Sequence, residues 1–301
     1  MVPMPAGGDM DLLRAVASRA VFPENKQTNV QVNTSTSIQT ELRMGANFQI
    51  VKIDELMSGA NGTVPGKTLI DASGLTKPAI FKLVKDYFAK QGVVWTAITE
   101  PEEYQPTESD LSAAIGDGVE FWGNAGVETL SEILSGDKLP YGVVVVEELH
   151  SDPSRNRKLC AFSSAKHGRL LHLVEEVAYD EIDVFVPSGN SYRHKVAQKT
   201  ASIASRSGEL GSAITFSASD PSSLVEAVFE NHLEAYQALR SNYEMALTGG
   251  KLETIVCGIA AATLPVNRVV YVRPAEFDAE NFSKGIGETH VYEFKSSCQA
   301  Q

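Results

Sequence analysis

Residues 30–44 read VQVNTSTSIQTELRM, and their pattern decides how the chain divides. Val30, Val32, Thr34, Thr36, Ile38, Thr40, Leu42 and Met44 hold the even positions, and Gln31, Asn33, Ser35, Ser37, Gln39, Glu41 and Arg43 hold the odd ones. Period-two alternation puts the first set on one face of an extended chain. No Gly or Pro interrupts it. An unbroken strand of this length reaches roughly 50 Å at about 3.3 Å per residue, whereas ordinary strands have about five or six residues. The stretch therefore either bends near residues 33–37 into a hairpin or forms an arm that leaves its own domain. An arm has unpaired edges that something must cover. Strand addition to a neighbouring copy would do so, and the assembly-arm residues would then be Val30, Val32, Ile38, Leu42 and Met44.

Working outward, residues 9–22 read as a short helix capped by Asp9 or Asp11 and ended by Pro23. Residues 48–53 read as a strand and residues 58–66 as a loop. Leu69 and Ile70 start a short strand. A helix opens at Thr76–Pro78 and stops at Gly92, with a strand over 93–98. A further helix is expected near 127–134. Residues 141–147 (YGVVVVE) read as a central strand, with more strands at 158–163 and 182–186 and a helix at 170–178. Asp220 and Pro221 open what reads as one long helix over 222–247, closed by Gly249 and Gly250. A helix at 251–262 and strands at 268–272 and 290–294 complete the chain.

The expected fold class is α+β: a β-rich N-terminal arm or hairpin, a mixed sheet with packed helices, and the long helix near 222–247. The alternation of helix and strand over 69–186 keeps an α/β three-layer core as an alternative. The expected division is residues 1–66 (helix and arm) and residues 67–301 (core), with subdivision near 150–158 or 187–195.

The 301 residues are 43% hydrophobic and 21% charged, as in an ordinary globular protein. No run approaches the roughly 18 apolar residues that span a bilayer, so no membrane is expected. Cys160, Cys257 and Cys298 are scattered and odd in number, which fits neither a disulfide framework nor a zinc knuckle. With no basic, apolar leader at the N-terminus, the expected location is cytoplasmic at synthesis. A net charge of −12 argues against a general nucleic-acid coat. Only residues 151–210 are basic, with 9 Lys/Arg against 7 Asp/Glu. Arg155, Arg157, Lys158, Arg193, Lys195 and Lys199 lie there, and Tyr192 could stack on a base, so a nucleic acid or an acidic partner is a candidate.

Signals for chemistry are weak. Gly66-Lys67-Thr68 ends like a phosphate-binding loop, but Asn61 stands where its first glycine belongs. In that reading Lys67 and Thr68 bind nucleotide, and Glu147, at the end of the valine strand, holds Mg²⁺ or water. Ser163 and Lys166 match S-x-x-K without the companion motifs of that enzyme class. The six histidines show no metal-ligand spacing. No cofactor, metal or catalytic residue is therefore expected. The leading expectation is a self-assembling, homo-oligomeric structural protein, such as a viral or phage shell subunit found in the virion. The alternatives are a degenerate P-loop NTPase and a single-stranded nucleic-acid-binding protein.

Overall fold

The computed structural model describes residues 13–16, 18–19, 30–33, 69–104, 107, 109, 137–149, 151–164, 168–189, 191–205, 210–218, 220–238, 240–277 and 283–296. In chain order the strands are β1 Leu13–Val16, β2 Ser18–Arg19, β3 Val30–Asn33, β4 Leu69–Asp71, β5 Val93–Thr99, β6 Glu103–Tyr104, β7 Asp137–Glu148, β8 Arg157–Phe162, β9 Glu181–Ser188, β10 Leu210–Ser217, β11 Asn242–Ala246, β12 Arg268–Phe277, β13 Ser283–Lys284 and β14 Thr289–Ser296. The helices are α1 Lys77–Gln91, α2 Gly168–Glu176, α3 Tyr192–Ala204, α4 Pro221–Leu233 and α5 Lys251–Thr263. The class is mixed α+β.

Two large sheets organise the molecule. The larger has the order β10-β9-β8-β11-β12-β7. Five of its strands are parallel, and β7 closes the edge antiparallel to β12. Parallel neighbours need crossovers, and α2, α3, α4 and α5 supply them in turn. Alternation along β8 shows why both faces are covered. Leu159 and Ala161 pack with Leu170, Leu173, Ala197 and Ala201 of α2 and α3, while Cys160 and Phe162 pack with the α4 and α5 side. A strand buried on both faces reads as a continuous apolar run, as LCAF does.

The second sheet has the order β2-β3-β14-β5-β4. β1 runs parallel to Thr289–Tyr292 of β14, and β3 pairs antiparallel with the rest of the same strand. α1 links β4 to β5 and packs on α5. Gly258 permits that close approach: a Cβ there would lie 3.0 Å from both the Phe81 carbonyl and Val84. Gly92 ends α1 at φ 64, a left-handed turn that suits glycine. β6 and β13, distant in the chain, form a small antiparallel pair of their own.

Several expectations change. The helix expected over 9–22 is replaced where the residues are described: β1 and β2 are strands, because β14 and β3 offer them ladder partners. Their tertiary pairing overrides a local helical pattern. The long helix near 222–247 is also absent. α4 stops at Leu233, a π-turn follows over Glu234–Ala238, and Arg240 adopts φ 52. The chain then re-enters the sheet as β11, flanked by β8 and β12. Tyr243, inside the span expected to be helical, is a strand residue with no exposed surface. The valine strand is not central. β7 lies at an edge, with Val144 and Val145 38% and 40% exposed. A valine run signals tolerance of burial, not position in the sheet. Of the expected residues 1–66, the described strand β3 lies in the same sheet as β4, β5 and β14, and β9 and α3 stand on either side of residues 189–191 in chain order. The expected strand at 48–53, the helix at 127–134 and Ile38, Leu42 and Met44 lie outside the described residues.

A polar network sits inside the α4 face. Lys158, 1% exposed, donates to Asp183 at 2.7 Å and to Glu181. Asp183 also accepts from Ser212 N at 3.0 Å, Ser212 Oγ at 2.7 Å and Asn231 at 2.5 Å, and Tyr243 donates to Asn231 at 2.9 Å. Burial pushes the Asp183 carboxyl up, but Lys158, Ser212 and Asn231 outweigh it and hold it below its ordinary 3.8. Removing one member of a buried pair strands the other charge at a cost of about 3–5 kcal/mol. We therefore expect Lys158→Met to lower stability by about that amount in urea unfolding, and Lys158→Met/Asp183→Leu to recover part of it. Burial likewise holds the His232 imidazole below 6.5, opposed by its bond to the Pro265 carbonyl. In both cases the unfolded chain binds more protons than the folded one. Stability should fall as pH drops below about 6.5, and again below about 3.8. His232→Gln should flatten the first step alone.

Candidate functional site

The parallel strands run in the order third, second, first, fourth, fifth, so the sheet reverses direction of travel between β8 and β11. α2 leaves β8 toward one face and α5 leaves β11 toward the other. The two connections diverge at the carboxyl ends of β8 and β11, the position at which such sheets form a crevice. In open α/β sheets this switch point is where ligands bind.

The sequence at that point is Leu247-Thr248-Gly249-Gly250-Lys251. Thr248 joins the two strand ends: its Oγ1 accepts from Phe162 N at 3.0 Å and donates to Phe162 O at 2.7 Å. Gly249 lies so close that a Cβ would stand 2.6 Å from Phe162 Cβ. Gly250 is the N-cap of α5, and a Cβ there would lie 2.7 Å from a Glu253 carboxylate oxygen. Gly249 is buried, and the exposed Gly250 caps the positive end of the 13-residue helix α5, where the Glu253 carboxylate accepts from the Gly250 amide.

The second sheet supplies the opposite wall. Lys77, at the start of α1, donates to the Thr248 carbonyl at 3.2 Å, and Lys251 donates to the Ser73 carbonyl. The turn after β4 is built by its own side chains. Asp71 accepts from Ser73 N at 2.9 Å, and Ser73 Oγ accepts from Thr99 N at 2.8 Å. Glu100 follows β5 and accepts from the Tyr104 hydroxyl, and the Arg193 guanidinium lies 4.6 Å over the Tyr104 ring.

Charge in the crevice is mixed. Burial pushes the Lys251 ammonium down, opposed by Asp71 and Glu100. Burial pushes the Glu253 carboxyl up, opposed by its own amide, Lys77 and the Gly250 amide. Burial and the charges of Glu100 and Glu253 raise the Tyr292 hydroxyl to about 12. The donors gathered here are bonded within the protein: Lys77 and Lys251 to main-chain carbonyls, the Thr248 hydroxyl to Phe162 O, and the Gly250 amide to the Glu253 carboxylate. Among the described residues no group of three or more His, Cys, Asp or Glu is arranged to hold a metal ion.

Residues singled out from sequence fall elsewhere. Arg157 and Lys158 begin β8 and so lie at the amino edge of the sheet, opposite the crevice. Arg157 makes a two-pronged pair with Glu244, at 2.7 and 3.0 Å, and lies 4.8 Å over the Tyr179 ring. Lys158 is buried in its network and cannot touch a phosphate. Arg155 pairs with Asp152 at 3.3 Å. Arg193, Lys195 and Lys199 lie on α3, whose first turn is at the carboxyl edge. The six basic residues therefore do not form one patch. Glu147 sits on antiparallel β7 opposite Val269, again at the amino edge, and pairs with Lys85. A Mg²⁺-binding acid of a nucleotide site would end a parallel strand at the other edge. Lys67 and Thr68 lie outside the described residues, and the chain after them enters strand β4 rather than a helix. Ser163 donates to the Ala197 carbonyl at 2.6 Å and is buried, which suits a structural hydroxyl; its expected partner Lys166 lies outside the described residues. Val30 and Val32 lie on β3.

Lys77, Thr248, Gly249, Gly250, Lys251 and Glu253 escaped the sequence reading as site residues. A strand followed by Thr-Gly-Gly-Lys and a helix is a legible signal. It was hidden because residues 242–246 read as the end of a helix, which made the glycine pair a stop. If Thr248 is the tie between β8 and β11, Thr248→Val should destabilise the fold by about 1–3 kcal/mol in urea unfolding, because Phe162 loses a partner for both main-chain groups. Thr248→Ser, which keeps the hydroxyl, should retain most of the stability. No family model matches the chain, and no curated protein or solved structure is significantly similar to it.

Proposed function

We propose that the chain is a binding protein for a phosphate-bearing small molecule of the nucleotide class, held in the crevice between the carboxyl ends of β8 and β11. One observation carries this reading: the switch point of the sheet coincides with the Thr248-Gly249-Gly250-Lys251 turn that opens α5. Main-chain amides at a helix start donate to anionic oxygens, and Lys251 adds a charge-assisted donor. Calorimetric titration with ATP, NAD, inorganic pyrophosphate and a short single-stranded RNA should find saturable binding by at least one compound. Gly250→Asp, which adds a Cβ and a negative charge at the N-cap, should weaken it at least tenfold. Absence of binding by every compound at millimolar concentration would overturn the reading.

A second reading has its own support. β1 and β3 both add along one edge of β14, so the N-terminal segment is able to complete that edge. A neighbouring copy's segment could take the same place, as in subunits that exchange an identical element. In this reading the chain is a homo-oligomeric subunit, for example of a viral or phage shell. Light scattering behind a sizing column should then give a defined multiple of 32.5 kDa, and deletion of residues 1–46 should reduce it to the monomer. Unchanged mass after deletion would remove the arm from assembly.

A further inference from the structure

The larger sheet has two edges, and they differ. β10 ends it on one side and exposes no large apolar side chain among its described residues. β7 ends it on the other side with 12 residues, about twice the ordinary strand length. Among the described strands only β12 pairs with it, so its outer row of main-chain groups has no ladder partner there. Val144 and Val145 point to opposite faces and are 38% and 40% exposed, and Leu149, just past the strand, is 51% exposed. Native proteins blunt an edge of this kind with charge, proline or a bulge. Here Pro140 lies at the irregularity between the Pro274 and Glu276 positions, whereas residues 141–145 pair with β12 without interruption and carry neither charge nor proline.

We infer that the outer edge of β7 pairs antiparallel with β7 of a second copy of this chain, about a two-fold axis at Val143, so that two six-stranded sheets become one continuous sheet. A two-fold axis there sets residue 143 opposite itself, 142 opposite 144 and 141 opposite 145. The strand is complementary to itself in that register. A Cβ on Gly142 would meet nothing within 4 Å, so open space stands where the exposed Val144 of the other copy would lie. Tyr141 would cover the exposed Val145, an aromatic ring against a β-branched side chain, which is a favourable cross-strand pair. Charge agrees with the direction. Glu147 and Glu148 close one end of β7, and Lys138 lies near the other, beside Asp137. A parallel partner would set glutamates against glutamates, whereas an antiparallel one brings Lys138 to them. The Glu148 side chain is 61% exposed and its nearest cation, Arg268, stands 3.8 Å away, so it is open to a second one. This interface lies on the larger sheet. It depends neither on the ligand reading nor on exchange of the N-terminal segment along β14.

The test is light scattering behind a sizing column, on the full chain at about 1 to 100 µM. The expected mass is an even multiple of 32.5 kDa. Val144→Lys, which puts a charge where Gly142 of the other copy would face it, should weaken association about tenfold or more with an unchanged circular-dichroism spectrum. Charge reversal reads the direction of pairing. Glu148→Lys alone should weaken the dimer about fivefold, and Lys138→Glu/Glu148→Lys should restore it. Deletion of residues 1–46 should leave this dimer in place. A monomer at every concentration would overturn the inference, as would association that Val144→Lys leaves unchanged. A double charge variant as weak as Glu148→Lys would overturn the antiparallel pairing. Reduction to the monomer by the deletion, with no effect of Val144→Lys, would assign assembly to the N-terminal segment and remove β7 from it.

Discussion

The fold depends on β8 being buried on both faces. Leu159 and Ala161 face α2 and α3, Cys160 and Phe162 face the α4 and α5 side, and neither set can be exposed without losing a core. A strand in that position needs helical crossovers on both sides. Its two neighbours, β9 and β11, are therefore reached in opposite directions of travel. The switch point at their carboxyl ends is a geometric consequence of covering both faces of one strand.

The same burial explains the two polar features beside it. Lys158 is adjacent to the apolar run and is drawn inside with it, so its charge is matched by Asp183 and Glu181. Arg157, one residue earlier, reaches the opposite side and finds Glu244 on β11. At the other end of β8 the main-chain groups of Phe162 would lie unpaired beside the divergent connections, and the Thr248 hydroxyl takes both. One end of the strand is thus tied by ion pairs and the other by a single threonine. The threonine is followed by Gly249, Gly250 and Lys251, which open α5.

Part of this was legible in the sequence. The helix over 77–91 was readable from its proline start and its Gly92 stop, and β5, β8, β9, α5, β12 and β14 from short apolar runs. The mixed helix and strand content was readable too. The 222–247 segment misled because its apolar spacing continues past Leu233 in helical phase, whereas the π-turn at 234–238 and Arg240 end the helix through non-local pairing of β11. Helix α3 and strand β10 went unread for a related reason: residues 192–217 carry no strong apolar period, and both elements pack on or pair with β9. The basic cluster misled differently, since charge composition does not tell a solvated arginine from one bonded to a buried glutamate. The site depends on strand order, which no local pattern encodes. Only once β8 and β11 are neighbours does Thr-Gly-Gly-Lys become part of a crevice.

The central claim is that the switch point between β8 and β11 is a ligand site. Amide chemical-shift mapping of the full chain during titration with ATP or pyrophosphate tests it most directly. The account predicts the largest shifts at Phe162, Thr248, Gly249, Gly250 and Lys251, with little change at the amino edge around Arg157 and Glu147. Shifts concentrated at that amino edge, or on the exposed face of β7, would contradict it.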